Sequence, residues 1–348
     1  MRVTGRTGKV QTVLGLITPD ELGVTLPHEH LIDDGSCYFI EPDAASEREM
    51  AHKPVSVDIL WWLRYHFTQN ADEVMLRDEQ VAIDEAMRFK LAGGNTIVEV
   101  SNVGLGRDPA ALARISLATG LHVIMGSGYY LAVSHGPQMD IMNEDEIVEE
   151  IIRDITEGVG TTGIRAGLIG EIGCSWPLFP NERKSLRAAG RAQKLTGAAL
   201  HVHPGHNPQA PMEIVDILQD VGADLSRTVF DHVERTYRDI NAIVKLAKTG
   251  CYIEYDLFGR EGYYPINMDL PNDTQRINEL MQLINEGYLN QLLISHDIWT
   301  KTQCCRYGGW GYAHILRNVV PVMLAKGMTQ EQIRAIMVDN PRQIFTFV

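Results

Sequence analysis

Gly23-Val24-Thr25-Leu26-Pro27-His28-Glu29-His30 is an apolar run that ends abruptly in two histidines flanking a glutamate. Read as a β-strand, it puts residues 28 and 30 on one face and Glu29 on the other, because strand side chains alternate with a period of two. Two neutral imidazoles on one rigid edge are half of a zinc-type site. Alone, a His-x-His pair also fits a surface turn, so the other strand ends decide. Comparable β-rich apolar runs recur near 22–27, 95–100, 121–127, 165–172, 198–203, 227–232, 250–256 and 291–297, each followed by an amphipathic helical pattern. Eight βα units predict an α/β fold, the (β/α)8 TIM barrel.

The helices between them are readable. In 143–155, apolar positions 147, 148, 151, 152 and 155 form one stripe behind an Asn cap and an acidic first turn. Residues 76–91 and 184–196 repeat the pattern, and Met212–Val221 follows Pro211. Residues 35–75 do not fit the alternation; with Trp61-Trp62 and several prolines they read as a long insertion after the first strand, carrying its own helix near 56–67. A second long loop, with Gly259, Gly262, Pro265 and Pro271, spans about 257–273. No repeat or linker divides the chain, so 1–348 is expected to be one domain.

Composition excludes several functions. The 348 residues are 45% hydrophobic and 22% charged with a net charge of −14, and no basic stripe suits a nucleic-acid backbone. Residues 1–20 lack the apolar core of a secretory signal, and no run of about 18 apolar residues suggests a membrane span. The five cysteines are odd in number and irregularly spaced, which points to reduced thiols in a cytoplasmic protein. Vicinal Cys304-Cys305 reads as buried or incidental thiols rather than a redox pair. Nucleotide-binding glycine loops are absent, and Gly173-Cys174-Ser175-Trp176-Pro177 lacks the last glycine of a nucleophile elbow.

Barrel enzymes place their chemistry at the C-terminal strand ends. Those ends give His28 and His30, Glu171, His201 and His203, His232, and His296 with Asp297. Glu171 alone could be a buried salt bridge, and one of the strand 5 histidines could act only behind the ligands; His203, nearer the strand end, is preferred as ligand. Jointly, imidazoles and carboxylates from separate strands suffice for two metals sharing a bridging carboxylate.

This set resembles the phosphotriesterase family of the amidohydrolase superfamily, in particular the phosphotriesterase-related proteins known from animals and bacteria. The resemblance extends through Gly8–Gly15, Gly167–Pro177, Glu254–Gly259 and Tyr307–Tyr312. It implies that His28, His30 and Asp297 hold a first metal, that His203 and His232 hold a second, and that Glu171 bridges where many relatives use a carboxylated lysine. The implied cofactor is two divalent ions, most simply Zn2+, activating a bridging hydroxide that attacks the scissile group while Asp297 shuttles the proton.

Two positions depart from organophosphate-cleaving members, whose relay aspartate and histidine are matched here by Arg235 and Leu257. Arg235, Lys301 and Arg306 are candidate clamps for a substrate anion, each with a surface salt bridge as the alternative. Tyr129 or Tyr130, with Tyr130 preferred, occupies the place where lactonase relatives put a tyrosine beside the metals, and His201 is a further candidate contact. The resemblance implies amide hydrolysis of a small anionic N-acyl amino acid or N-acyl taurine. The alternatives are a lactonase, including sugar-lactone phosphates, with weak phosphotriesterase side activity, and a non-catalytic metal-containing ligand-binding protein. Barrel relatives commonly form homodimers, although no interface signal is present.

Overall fold

The structure, a computed structural model, describes residues 5–264 and 268–348; Pro265 of the second long loop lies outside the described residues. Eight parallel strands follow the predicted order: β1 (Thr25–Glu29), β2 (Thr96–Glu99), β3 (His122–Met125), β4 (Leu168–Cys174), β5 (Ala199–Pro204), β6 (Thr228–Phe230), β7 (Tyr252–Tyr255) and β8 (Leu292–Ile294). They pair as β1-β2-β3 and as β4-β5-β6-β7-β8, each strand beside its neighbour in sequence.

Two seams close the sheet into a barrel. Asp297 N donates to His28 O (3.3 Å) and His30 N to Ile298 O (3.3 Å), which ties the end of β8 to β1. Gly167 N to Met125 O (2.9 Å), Gly170 N to Ser127 O (2.7 Å) and Gly173 N to Tyr129 O (3.2 Å) tie β4 to β3. The second seam requires glycine: a Cβ on Gly126 would sit 2.1 Å from Gly170 O.

Inside, the two-residue strand period builds layers. Leu168, Ala199, Val229, Tyr252 and Leu293 form an apolar floor with Ile344 and Phe345 from the C-terminal helix. Two residues further along β5, β6, β7 and β8 come His201, Asp231, Glu254 and Ser295, all fully buried. Two more bring His203, Asp256 and Asp297 to the mouth on β5, β7 and β8. The larger apolar cluster lies outside the strands, against the helices.

The helices form where their caps and stripes predict. Glu144–Thr156 begins with Asn143 in a capping box with Glu146 and buries Ile147, Val148, Ile151 and Ile155. Glu79–Leu91, Pro180–Thr196 and Ala210–Asp220 match the other expected helices within a few residues. The insertion after β1 carries Ala45–Ala51 and Leu60–His66 and a small core of Val55, Ile59, Trp62 and Leu63. No helix among the described residues is long and apolar enough to cross a membrane.

Candidate metal centre

His28 and His30 leave β1 toward the barrel axis, with Nε2 of each facing the carboxylates of Glu171 and Asp297. His28 Nε2 lies 3.7 Å from both Glu171 Oε1 and Asp297 Oδ1; His30 Nε2 lies 3.4 and 3.3 Å from the same atoms. The other oxygen of Glu171, Oε2, faces His203 Nδ1 at 2.8 Å and His232 Nε2 at 3.6 Å. Each oxygen of one carboxylate thus addresses a different pair of imidazoles, the arrangement a bridging ligand needs.

Local backbone puts these groups in place. Gly170, at φ 121°, lies so close to β5 that a Cβ would meet His201 O at 2.4 Å, and this close approach sets Glu171 beside His203. His232 and Asp297 have left-handed φ values of 54° and 52°, uncommon for residues with a side chain. His232 is out of step with the strand period, one residue after Asp231, and its turned backbone brings the ring to the mouth. Strain of this kind is found at functional sites that the surrounding structure holds in place.

Hydrogen bonds then orient the rings. His232 Nδ1 pairs with Asp256 Oδ1 (2.7 Å), and His30 Nδ1 with Ser101 Oγ (2.8 Å), which turns His30 Nε2 toward Glu171 and Asp297 and His232 Nε2 toward Glu171 and His203 Nδ1 (2.9 Å). Glu29, facing away from the site as the alternation predicts, accepts from His296 N, His296 Nδ1, Ile298 N and Ser295 Oγ. It therefore clamps the backbone on both sides of Asp297.

The donor set fits two metal ions. His28 Nε2 is fully buried without a hydrogen-bond partner. Bonds of about 2.0–2.1 Å at tetrahedral angles put adjacent ligand atoms roughly 3.3 Å apart, close to most of the separations above. Burial penalises charge on Glu171, but His28 and His203 outweigh it and hold the carboxyl well below its ordinary range. Burial and then the Arg235 charge lower His203 and His232, keeping both rings in the neutral form that ligates metal.

The centre opens into a cavity lined by His30, His203, His232 and Asp297. Arg235 and Arg260 lie in its walls, with Tyr38 and Phe67 from the insertion and Trp299 after β8. Arg235 Nη2 lies 2.9 Å from His203 Nε2 and donates to Pro204 O (3.1 Å), while its Nη1 is buried with no hydrogen-bond partner. Among the described residues Arg235 forms no ion pair with a carboxylate. Arg260 donates to Asp297 O (3.0 Å), has Nη1 3.5 Å from Asp297 Oδ2, and lies over the Trp299 ring at 5.8 Å. Tyr130 lines the cavity with its hydroxyl 3.2 Å from His203 Nδ1, whereas Tyr129 turns outward to Glu150.

Three expectations are corrected. Lys301 pairs with Asp72 and borders a different, smaller pocket, so its ammonium is already neutralised away from the centre. Arg306 is likewise absent from the cavity wall. His201 is fully buried one layer below the mouth and stacks on Phe345 at 5.6 Å, so it cannot meet a substrate. Leu257 packs on Leu270 instead of facing the centre. Sequence reading missed Arg260, Asp33, His206 and Tyr38. Only Arg260 left a trace, as a cation between Gly259 and Gly262 in the loop after β7.

A parallel barrel bearing two imidazole pairs around one shared carboxylate defines a hydrolase of the binuclear divalent-metal kind. The chain belongs to the phosphotriesterase family, whose model matches residues 8–345. It is 45% identical to a phosphotriesterase-related protein of Nematostella vectensis, covering 98% of this chain and 99% of that one. It is 41% identical to the N-acetyltaurine hydrolase of Homo sapiens, covering 98% of each. Among solved structures, a resiniferatoxin-binding protein from Rhodobacter sphaeroides superposes with a TM-score of 0.95 at 38% identity, covering 98% of this chain and 95% of that one. The lactonase Lmo2620 from Listeria monocytogenes gives 0.80 at 25% identity, covering 98% and 99%.

Proposed function

We propose that this chain hydrolyses the amide bond of N-acetyltaurine or a similarly small, anionic N-acyl amine, with His28, His30 and Asp297 holding one Zn2+, His203 and His232 a second, and Glu171 bridging them. The observation that carries the substrate class is Arg235: a buried guanidinium in the cavity wall, with one nitrogen unpartnered and, among the described residues, no carboxylate to neutralise it. A sulfonate or carboxylate on the substrate supplies that partner. The relatives named N-acetyltaurine hydrolase, at 40–42% identity over nearly the whole chain, support the same choice.

When bound, the two ions supply an acidified water and polarise the acyl carbonyl. The remaining work falls to the chain's own groups. Asp297 and Asp33 are the carboxylates that line the cavity. Burial pushes Asp33 up to about 8, so at neutral pH it is mainly protonated and a poor base. Asp297 accepts the proton of the attacking water and returns it to the amine nitrogen as the C–N bond breaks, which yields acetate and taurine. Arg260 and Glu29 hold Asp297 for both transfers. Arg235 anchors the anion, and Tyr38 and Trp299 shield the acyl end from solvent. The free cysteines, none of them in a disulfide among the described residues, support a cytoplasmic enzyme.

Lactone hydrolysis is the second reading, favoured by the Tyr130 hydroxyl beside His203. Turnover of N-acetyltaurine, N-acetyl amino acids and neutral lactones by the zinc-loaded chain separates the two. Amide turnover with Arg235→Gln raising KM for anionic amides by about 10-fold or more supports the proposal; lactone turnover without amide turnover overturns it.

A further inference from the structure

Beneath the binuclear centre the barrel holds a second set of donors that the proposed reaction does not use. His28 Nδ1 lies 3.6 Å from Asp231 Oδ2 and 3.5 Å from Glu254 Oε2; His201 Nδ1 lies 3.2 Å from Asp231 Oδ1 and 3.5 Å from Glu254 Oε2. One ligand atom from each of the four residues falls within 4.8 Å of all the others. All four side chains are fully buried, on β1, β5, β6 and β7 or at their ends.

Their hydrogen bonding is what sets the cluster apart. His28 Nδ1, both nitrogens of His201 and all four carboxylate oxygens of Asp231 and Glu254 are buried without a partner. Among the described residues no Lys or Arg pairs with either carboxylate, so imidazoles alone face them, and a buried carboxylate that is not hydrogen-bonded costs several kcal/mol. Asp256 Oδ2 also lies 3.4 Å from His28 Nδ1, but both Asp256 oxygens are engaged by His232 N (3.0 Å) and His232 Nδ1 (2.7 Å), and neither reaches His201. The four imidazole–carboxylate distances of 3.2–3.6 Å, with Asp231 turning one oxygen to each imidazole, are near the edge length of a tetrahedron built on bonds of about 2.0–2.1 Å.

We propose that His28, His201, Asp231 and Glu254 form a third, structural site for a divalent ion of the zinc type, inside the barrel and distinct from the binuclear centre. Four protein ligands fill a tetrahedral shell, and none of His201, Asp231 or Glu254 reaches the cavity, so the site is closed to substrate. His28 serves both levels: Nε2 toward the mouth, as the reading of the binuclear centre requires, and Nδ1 toward the interior, its Nδ1 proton passing to solvent when the ion binds. The inner ion offsets the two carboxylates and fixes the His28 ring for the centre above.

Metal content tests this without recourse to turnover. The full chain, loaded with zinc and desalted, is expected to retain three ions per chain, falling to two in Glu254→Gln and in Asp231→Asn. Crystals of the wild type are expected to show an anomalous zinc peak among the four residues, a result that does not depend on either variant folding. Two ions in the wild type with no peak there overturn the inner site and leave the binuclear reading standing. Fewer than two overturn both, and three ions retained in both variants also overturn the inner site.

Discussion

In the proposed reaction Asp297 carries the burden of proton transfer. Its carboxylate faces His28 and His30 on one side and Arg260 on the other, and its backbone is held by Glu29 through His296 N and Ile298 N. Asp297→Asn keeps the shape but cannot accept a proton, so kcat is expected to fall by roughly 10²-fold or more in steady-state assays. Glu29→Gln leaves every group of the centre in place and loosens only the clamp on Asp297. A smaller drop in kcat with little change in KM is expected, and a change confined to KM contradicts the positioning role. The candidate ligands at strand ends stood out in the sequence because each ends an apolar run. Of the inner layer only His201 was picked out, as a strand-end histidine: Asp231 directly precedes His232 and Glu254 lies two residues before Asp256, and only the closed barrel shows that the three converge. Arg260 escaped notice because no periodicity marks a loop residue.

At the scale of elements, the loops after β1 and β8 are joined by Glu73. Its carboxylate accepts from Thr302 N (3.0 Å) and bonds Thr302 Oγ1, while Lys301 N donates to Glu73 O (3.0 Å). Burial pushes the Glu73 carboxyl from 4.5 up to about 7. A raised carboxyl favours the protonated folded state, so its contribution to stability is full below about 4.5 and is lost as pH rises through about 7. Glu73→Gln is therefore expected to flatten that part of the stability–pH curve, read by denaturant unfolding from pH 4.5 to 8; a curve as steep as the wild type's contradicts this. The insertion was recognised as a break in the βα alternation. Its hold on the β8 loop could not be read, because long-range pairing of polar loop residues leaves no local pattern. Lys301 shows the same limit: a cation after a strand end looks like a substrate clamp until Asp72, 229 residues away, is seen to claim it.

For the whole molecule, the barrel gathers buried carboxylates into its C-terminal half, and in the proposed account bound cations offset their charge. Chelation is expected to lower the thermal midpoint and zinc to restore it, as scanning calorimetry would show, because ligands that bind only the folded state stabilise it by mass action. An unchanged midpoint after verified metal removal contradicts the account. The fold itself was readable from eight recurring runs, and the family match over residues 8–345 agrees with that reading.

Function turns on the fate of one bond. The most direct test is to follow acetate and taurine release from N-acetyltaurine by the zinc-loaded wild type and by Asp297→Asn, with a neutral lactone in parallel. The account predicts equimolar acetate and taurine from the wild type and a loss of roughly 10²-fold or more in the variant. No amide cleavage while the lactone is turned over, or no turnover of either, would contradict it.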